Sequence, residues 1–191
     1  IHERLVGSEM CIRDSPVNLS ALTSGLGFVI RGEHFYDLSG IVVSSAGDLN
    51  GDGLADVLVS TIVGQTYVVF GSTSAAAVDL SALGTRGFVI SNGDPAGYGV
   101  TNAGDMNGDG LMDLLVGGNN KTYVVYGKTG VTSMDLAHVA NGTDGFLING
   151  ADIGASVSSA GDVNGDGLAD LIVSTPYALS LIHISEPTRR S

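Results

Sequence analysis

AGDMNGDGLMDLLVG, residues Ala103–Gly117, occurs three times in the chain with small changes. Ala46–Ser60 reads AGDLNGDGLADVLVS and Ala160–Ser174 reads AGDVNGDGLADLIVS. The first Asp of each copy is Asp48, Asp105 or Asp162, a spacing of 57 residues both times. Other landmarks keep step. GFVI at Gly27–Ile30 returns at Gly87–Ile90 and, as GFLI, at Gly145–Ile148. TYVVFG at Thr66–Gly71 returns as TYVVYG at Thr122–Gly127. Gly40, Gly97 and Gly154 each precede the first Asp of their copy by eight residues. A fixed period of this length marks a repeat architecture, in which each unit is one supersecondary element.

Within one period the pattern is that of strands. Short runs rich in Val, Ile, Tyr and Phe are bounded by Gly, Asn, Asp and Ser clusters. In the second copy, strands are expected near Gly97–Ala103, Asp113–Gly117 and Thr122–Tyr126, with a further one at Gly87–Ile90 or its equivalent Gly145–Ile148. Asp135–Ala140 offers one helical turn at most. Four short antiparallel strands at a fixed period are the signature of a β-propeller blade. The expected class is all-β, with about two and a half four-stranded blades.

Each copy contains Asp-x-Asn-x-Asp-Gly-x-x-Asp. Asp48, Asn50, Asp52 and Asp56 form the first set. Asp105, Asn107, Asp109 and Asp113 form the second, and Asp162, Asn164, Asp166 and Asp170 the third. Oxygens at alternate positions of a tight loop can converge on one point, and calcium takes 6–8 oxygen ligands that include carbonyls. The seventh positions, Leu54, Leu111 and Leu168, would supply backbone carbonyls. Three Ca²⁺ ions are therefore expected, one per repeat. An EF-hand shares the first half of this loop but needs a Glu at position 12 and flanking helices. Position 12 here is Val59, Val116 or Val173, inside a β-type run. Magnesium suits an all-protein oxygen cage less well than calcium. An ion-free Asn/Asp-Gly turn is the alternative reading. Against it, three carboxylates in one loop repel one another without a cation.

Composition agrees with this assignment. The formal charge is −12, from 20 Asp+Glu against 8 Lys+Arg. Between residues 16 and 178 there are 16 acids and four basic residues, so the whole imbalance lies in the repeats. That balance argues against a nucleic-acid partner, which requires clustered Lys and Arg. No run reaches the roughly 18 apolar residues that span a bilayer. The single Cys, Cys11, excludes an internal disulfide.

The ends read differently. Residues 5–15 (LVGSEMCIRDS) and 179–189 (LSLIHISEPTR) are encoded by one DNA string and its reverse complement, and that string resembles a transposase-type sequencing adapter. Segments 1–15 and 179–191 are accordingly expected to be adapter-derived tails and are set aside from the fold. The divisions between them are then 16–38 (the end of a preceding blade and a linker), 39–91 and 92–149 (whole blades), and 150–178 (a truncated blade).

GYGVTNAGDMNGDGLMDLLVGG (Gly97–Gly118) resembles an FG-GAP repeat, the unit of the N-terminal β-propeller of integrin alpha chains and of many bacterial secreted proteins. The resemblance implies a fragment of a seven-bladed propeller. It places calcium in the hairpin between the first and second strands, opposite the usual partner-binding face. It further implies an extracellular or cell-surface protein with a protein or glycan ligand, serving adhesion or recognition, without an enzymatic site. The alternative is the non-catalytic propeller module of a secreted hydrolase, lyase or phospholipase-type enzyme. Departures from the pattern are Ser39, Ala96 and Ile153 in place of the name-giving Phe. Ser60-Thr61-Ile62, Gly117-Gly118-Asn119 and Ser174-Thr175-Pro176 stand for Gly-Ala-Pro.

No nucleophile–base pair is legible. His34 and His138 occupy non-equivalent repeat positions and read as loop or surface residues. Ser44, Ser45, Ser158 and Ser159 are polar strand residues near the axis. Asp37, Asp94 and Asp152 precede the inner strands, where turn roles are favoured over a partner-facing surface. Asn18, Asn120 and Asn141 lie in N-x-S/T sequons.

Overall fold

A computed structural model describes residues 27–74, 76–91, 99–118, 121–150 and 156–174, and the backbone of 183–185. Among the described residues the first element is β1 (Ile30–Arg31). The first repeat contains β2 (Val42–Gly47), β3 (Asp56–Ser60), β4 (Gln65–Val69), β5 (Val78–Asp79) and β6 (Gly87–Ser91). The second contains β7 (Val100–Gly104), β8 (Asp113–Gly118), β9 (Lys121–Val125), β10 (Met134–Asp135), α1 (Leu136–Ala140) and β11 (Gly145–Asn149). The third contains β12 (Val157–Gly161), β13 (Asp170–Val173) and β14 (His183–Ser185).

The protein is all-β, and its sheets are propeller blades. The first blade runs β2-β3-β4-β6 and the second β7-β8-β9-β11, antiparallel throughout. In the third, β12 and β13 pair in the same way. β14, which falls within segment 179–191, pairs antiparallel with β13 through Leu171↔Ser185 and Val173↔His183. Three of the expected strands of the second repeat form within a residue of their predicted ends; the other, expected at Gly97–Ala103, is seen as Val100–Gly104, its first two residues lying outside the described residues. Asp94, Ala96, Gly97, Asp152, Ile153, Gly154, Asn18, Asn120 and segment 1–15 lie outside the described residues.

The strand sequences explain the layering. β3, β4, β8 and β9 are nearly continuous apolar runs and are buried along most of their length. A strand in the middle of a stacked blade has a neighbour on both faces, so it does not alternate with solvent. Successive side chains point to opposite faces, and the contacts divide accordingly. Leu114, Val116, Tyr123 and Val125 pack towards Leu58, Val68, Phe88 and Ile90 of the first blade. Leu115 and Val124 pack the other way, onto Val157, Leu171 and Val173 of the third. The far face of the first blade is closed by Phe28 and Ile30 over Val59, Tyr67, Val69 and Val78. The inner strands β2, β7 and β12 are more polar and more exposed.

Two features stitch one blade to the next. The outer strand of each blade continues into a short parallel pairing with a strand of the following repeat. Ile90 and Ser91 face Met134 and Asp135, and Ile30 and Arg31 face Val78 and Asp79 in the same way. β1 thus sits where the outer strand of a preceding blade belongs, as the GFVI repeat implies. The extra strand was not foreseen from sequence. Its signal was the repeated VDLSAL and MDLAHV. There Asp79 and Asp135 accept from the backbone N–H of Ser81 (3.0 Å) and Ala137 (2.8 Å) and start the helical turn that follows.

The second feature lies on the inner strands. Asn102 Nδ2 donates to the Ala46 carbonyl at 2.9 Å, and Ser159 Oγ to the Ala103 carbonyl at 3.1 Å. Each inner strand carries a bulge just before its loop, at Ser45/Gly47, Asn102/Gly104 and Ser159/Gly161. The bulge glycines have φ of 69°, 80° and 68°, a left-handed conformation that only Gly adopts freely. A Cβ on Gly104 would also stand 2.6 Å from the Ala169 Cβ of the next blade.

Leu114 is fully buried between blades. Leu114→Ala should cost about 2–5 kcal/mol in urea unfolding. Val43→Ala, at a side chain 64% exposed, should change stability by no more than about 0.5 kcal/mol.

Candidate metal centre

The three Asp-rich loops join the first and second strands of their blades, between β2 and β3, β7 and β8, and β12 and β13. Each strand pair ends at the bulge, so the chain enters the loop already turned. The loop then closes on its own side chains. In the first copy, Asp48 accepts from the backbone N–H of Asp52 at 3.0 Å through Oδ1 and of Gly53 at 2.8 Å through Oδ2. Asn50 Oδ1 accepts from the same Asp52 N–H at 2.9 Å. Asp52 Oδ1 accepts from Leu54 N–H at 2.8 Å, and its Oδ2 from Asn50 Nδ2 at 3.1 Å. Asn50 and Asp52 make successive Asx turns, each capping the backbone two residues on, while Asp48 reaches four and five residues ahead. Gly51 and Gly53 at the fourth and sixth positions have φ of 76° and 87°, which lets the chain curl around its own carboxylates.

The other copies reproduce this bonding. Asp105 accepts from Gly108, Asp109 and Gly110, and Asp162 from Gly165, Asp166 and Gly167. Asn107 and Asn164 accept from the N–H of Asp109 and Asp166. Asp109 and Asp166 accept from Leu111 and Leu168. The first, third and fifth positions of each loop are therefore linked through the backbone N–H of the fifth residue and the bonds around it.

The ninth position differs. Asp56, Asp113 and Asp170 are buried, at 0–1% exposure. Asp56 Oδ2 accepts from Leu49 N–H at 2.8 Å and its Oδ1 from Gly71 N–H at 2.8 Å. Asp113 does the same with Met106 (2.8 Å) and Gly127 (2.9 Å). This carboxylate is a latch that joins the start of the loop to the end of the third strand. Sequence reasoning missed the role, although Gly71 and Gly127 were visible as the fixed last residue of TYVVFG and TYVVYG. A Cβ there would stand 2.6 Å from the Ala55 carbonyl oxygen or 2.4 Å from that of Met112. In the third blade Asp170 Oδ2 accepts from Val163 N–H at 2.8 Å. Among the described residues its buried Oδ1 has no partner.

The charges feel one another. Burial pushes the Asp113 carboxyl up to about 6, against the pull of the Gly127 and Met106 N–H groups, with the charges of Asp109 and Asp105 adding to the rise. Asp56 is raised by burial and by Asp52 and Asp48 in the same way. Among the described residues, no three His, Cys, Asp or Glu side chains stand gathered as a finished metal cage. The donor set is nevertheless all oxygen. The oxygens that accept one N–H, such as Asp48 Oδ1 and Oδ2, keep a second lone pair, whereas Asp105 Oδ1 and Asp162 Oδ1 accept two, and the Leu54, Leu111 and Leu168 carbonyls belong to the same turns. This chemistry fits a hard cation of calcium type.

The remaining candidates have structural roles. Asp37 is buried in the loop before β2. It accepts from His34 N–H (3.0 Å), Ser39 N–H (2.9 Å) and Ser39 Oγ (2.9 Å). Burial opposes its ionisation, but these bonds outweigh it and hold its pKa below the ordinary 3.8. The turn reading of this residue holds. His34 Nε2 lies 3.4 Å from Glu33. Tyr67 Oη donates to Glu33 and, at 2.9 Å, to Gln65. Ser45 Oγ accepts from Gly47 N–H, and Ser158 Oγ donates to the Ser159 carbonyl. His138 lies in the last turn of α1.

With this geometry in place, the comparisons are informative. Residues 154–183 match the FG-GAP repeat family. That span is the third copy of the motif, and the first two copies repeat it in sequence and in bonding. This match supports the FG-GAP resemblance read from the sequence. It is also 30% identical over 165 residues to a phosphatidylinositol-glycan-specific phospholipase D of Rattus norvegicus. The aligned part covers 75% of this chain and 19% of that protein, so the chain spans about a fifth of that relative's length.

Asp37→Ala should leave two N–H groups without their acceptor and cost about 1–3 kcal/mol at neutral pH. A depressed carboxyl stabilises the fold above its unfolded pKa and loses that contribution as pH falls through the folded value. The stability gap between the two proteins should therefore narrow below pH 3.8, as followed by urea titration at several pH values.

Proposed function

We propose that the three loops bind Ca²⁺, one ion each, and that the chain is a calcium-stiffened propeller segment of an extracellular or cell-surface recognition protein. Asp48, Asn50, Asp52, Asp56 and the Leu54 carbonyl hold the first ion. Asp105, Asn107, Asp109, Asp113 and the Leu111 carbonyl hold the second, and Asp162, Asn164, Asp166, Asp170 and the Leu168 carbonyl the third. The observation that carries this reading is the same nested bonding in three loops of different blades. Repulsion within each loop supports it, since a divalent ion would relieve the rise at Asp56 and Asp113. The ion supplies charge neutralisation and a rigid corner between the first two strands; it takes part in no reaction.

The segment itself is non-catalytic in this reading, and partner contacts come from the opposite end of the blades. There the loop before β2 exposes Phe35 (90%) and Tyr36 (82%) beside Val63 (54%). Ile62 N–H donates to the Asp37 carbonyl and ties the two loops together. A protein or glycan surface suits such an aromatic, weakly charged patch. In a second reading, favoured by the name of the rat relative, this propeller segment belongs to a secreted phospholipase-type enzyme and serves its recognition or stability.

Extracellular calcium modules have dissociation constants of roughly 10⁻⁴–10⁻³ M. Calcium at 100 times that constant should stabilise each site by about 2.7 kcal/mol. Addition of calcium to chelator-treated protein should raise the melting temperature, and Asp52→Ala should reduce the rise. An unchanged melting temperature on chelation contradicts the proposal.

A further inference from the structure

Each loop carries an Asn followed by Gly: Asn50–Gly51, Asn107–Gly108 and Asn164–Gly165. Such a pair can cyclise. The Gly nitrogen attacks the Asn side-chain carbonyl carbon, the Cγ–Nδ2 bond breaks, and Nδ2 leaves as ammonia with the displaced amide proton. Water then opens the cyclic imide to aspartate or isoaspartate. One water is consumed and one ammonia released, with no change of oxidation state.

We propose that Asn50 is a self-modification site of the folded chain, converted faster than its sequence alone would dictate. Two bonds of the side chain and one unbonded N–H carry this. The Asp52 N–H donates to Asn50 Oδ1 at 2.9 Å, so a fixed donor already faces the oxygen that becomes anionic when the ring closes. The Asn50 side chain is held at both ends, Oδ1 by Asp52 N–H and Nδ2 by Asp52 Oδ2 at 3.1 Å, which lowers the entropic cost of ring closure. Among the described residues, Gly51 N–H makes no hydrogen bond. By contrast, Gly108 N–H is bound to Asp105 Oδ1 at 2.7 Å and Gly165 N–H to Asp162 Oδ1 at 2.6 Å. An amide held against a carboxylate is harder to deprotonate, because the nitrogen anion would form beside a like charge. Asn50 should therefore outpace Asn107 and Asn164.

Asn141–Gly142 is the internal reference. It follows α1, and its Gly142 N–H is committed to the Val139 carbonyl at 2.9 Å. Two further pairs stand at Asn92–Gly93, outside the described residues, and at Asn149–Gly150. The inference rests on loop bonding and stands apart from the cation. Its product would matter to the loop all the same: isoaspartate inserts a methylene into the main chain where the Asx turn is fitted.

The test is to incubate the full chain in chelator at mildly alkaline pH, with and without urea, and to map conversion by peptide mass spectrometry. Fragmentation that separates aspartate from isoaspartate identifies the product. The Asn50-to-Asn141 rate ratio in the folded chain should exceed that in the unfolded chain several-fold, with Asn50 also ahead of Asn107 and Asn164. An equal or lower ratio in the folded chain overturns the proposal.

Discussion

A buried carboxylate bonded at both oxygens is the interaction on which the first two blades depend. Asp56 joins Leu49 at the start of its loop to Gly71 at the end of the third strand, and Asp113 joins Met106 to Gly127. Two N–H groups that the strand ladders leave over thereby gain a charged acceptor, which is stronger than a neutral one. The cost is a carboxylate held out of water beside two other acids, visible in the raised pKa of Asp113. The loop, the second strand and the third strand cannot shift independently while this latch holds. That constraint fixes the loop oxygens relative to the blade, so the same residue that closes the fold also shapes the candidate ion site.

From blade to blade, the constraint is packing rather than charge. Gly47 and Gly104 let the next inner strand approach, and Asn102 and Ser159 reach back to carbonyls one repeat earlier. Leu111 lies over Gly51, and Leu168 over Gly108. Neighbouring loops are thus in contact along one end of the stack. Stability in such an array is a sum of unit and interface terms, and the alternating sides taken by Leu114 and Leu115 show how one strand serves two interfaces.

Much of this was legible in the sequence. The 57-residue period, the strand-like runs and the Gly/Asp clusters located the blades and placed the loops between first and second strands. Gly27–Ile30, as a copy of Gly87–Ile90, pointed to the strand that pairs with Val78 and Asp79. Less legible were contacts between residues far apart in sequence. The parallel pairing of Met134 with Ile90 joins two repeats, and no local pattern encodes it. The ninth-position Asp was legible as a loop oxygen, but spacing cannot show that its side chain also reaches Gly71 or Gly127. Asp37 was read as a turn residue from its neighbours, and its three bonds are local ones.

The central claim is that the nested loops are cation sites and not merely well-bonded turns. Both readings explain the hydrogen bonds; they differ in what the acids are for. Isothermal titration of chelator-stripped protein with calcium separates them most directly. The account predicts saturable binding at three ions per chain, falling to two when Asp105 is replaced by Ala. Absence of saturable binding, with the chain folded by circular dichroism, would contradict it and leave the loops as self-capped turns.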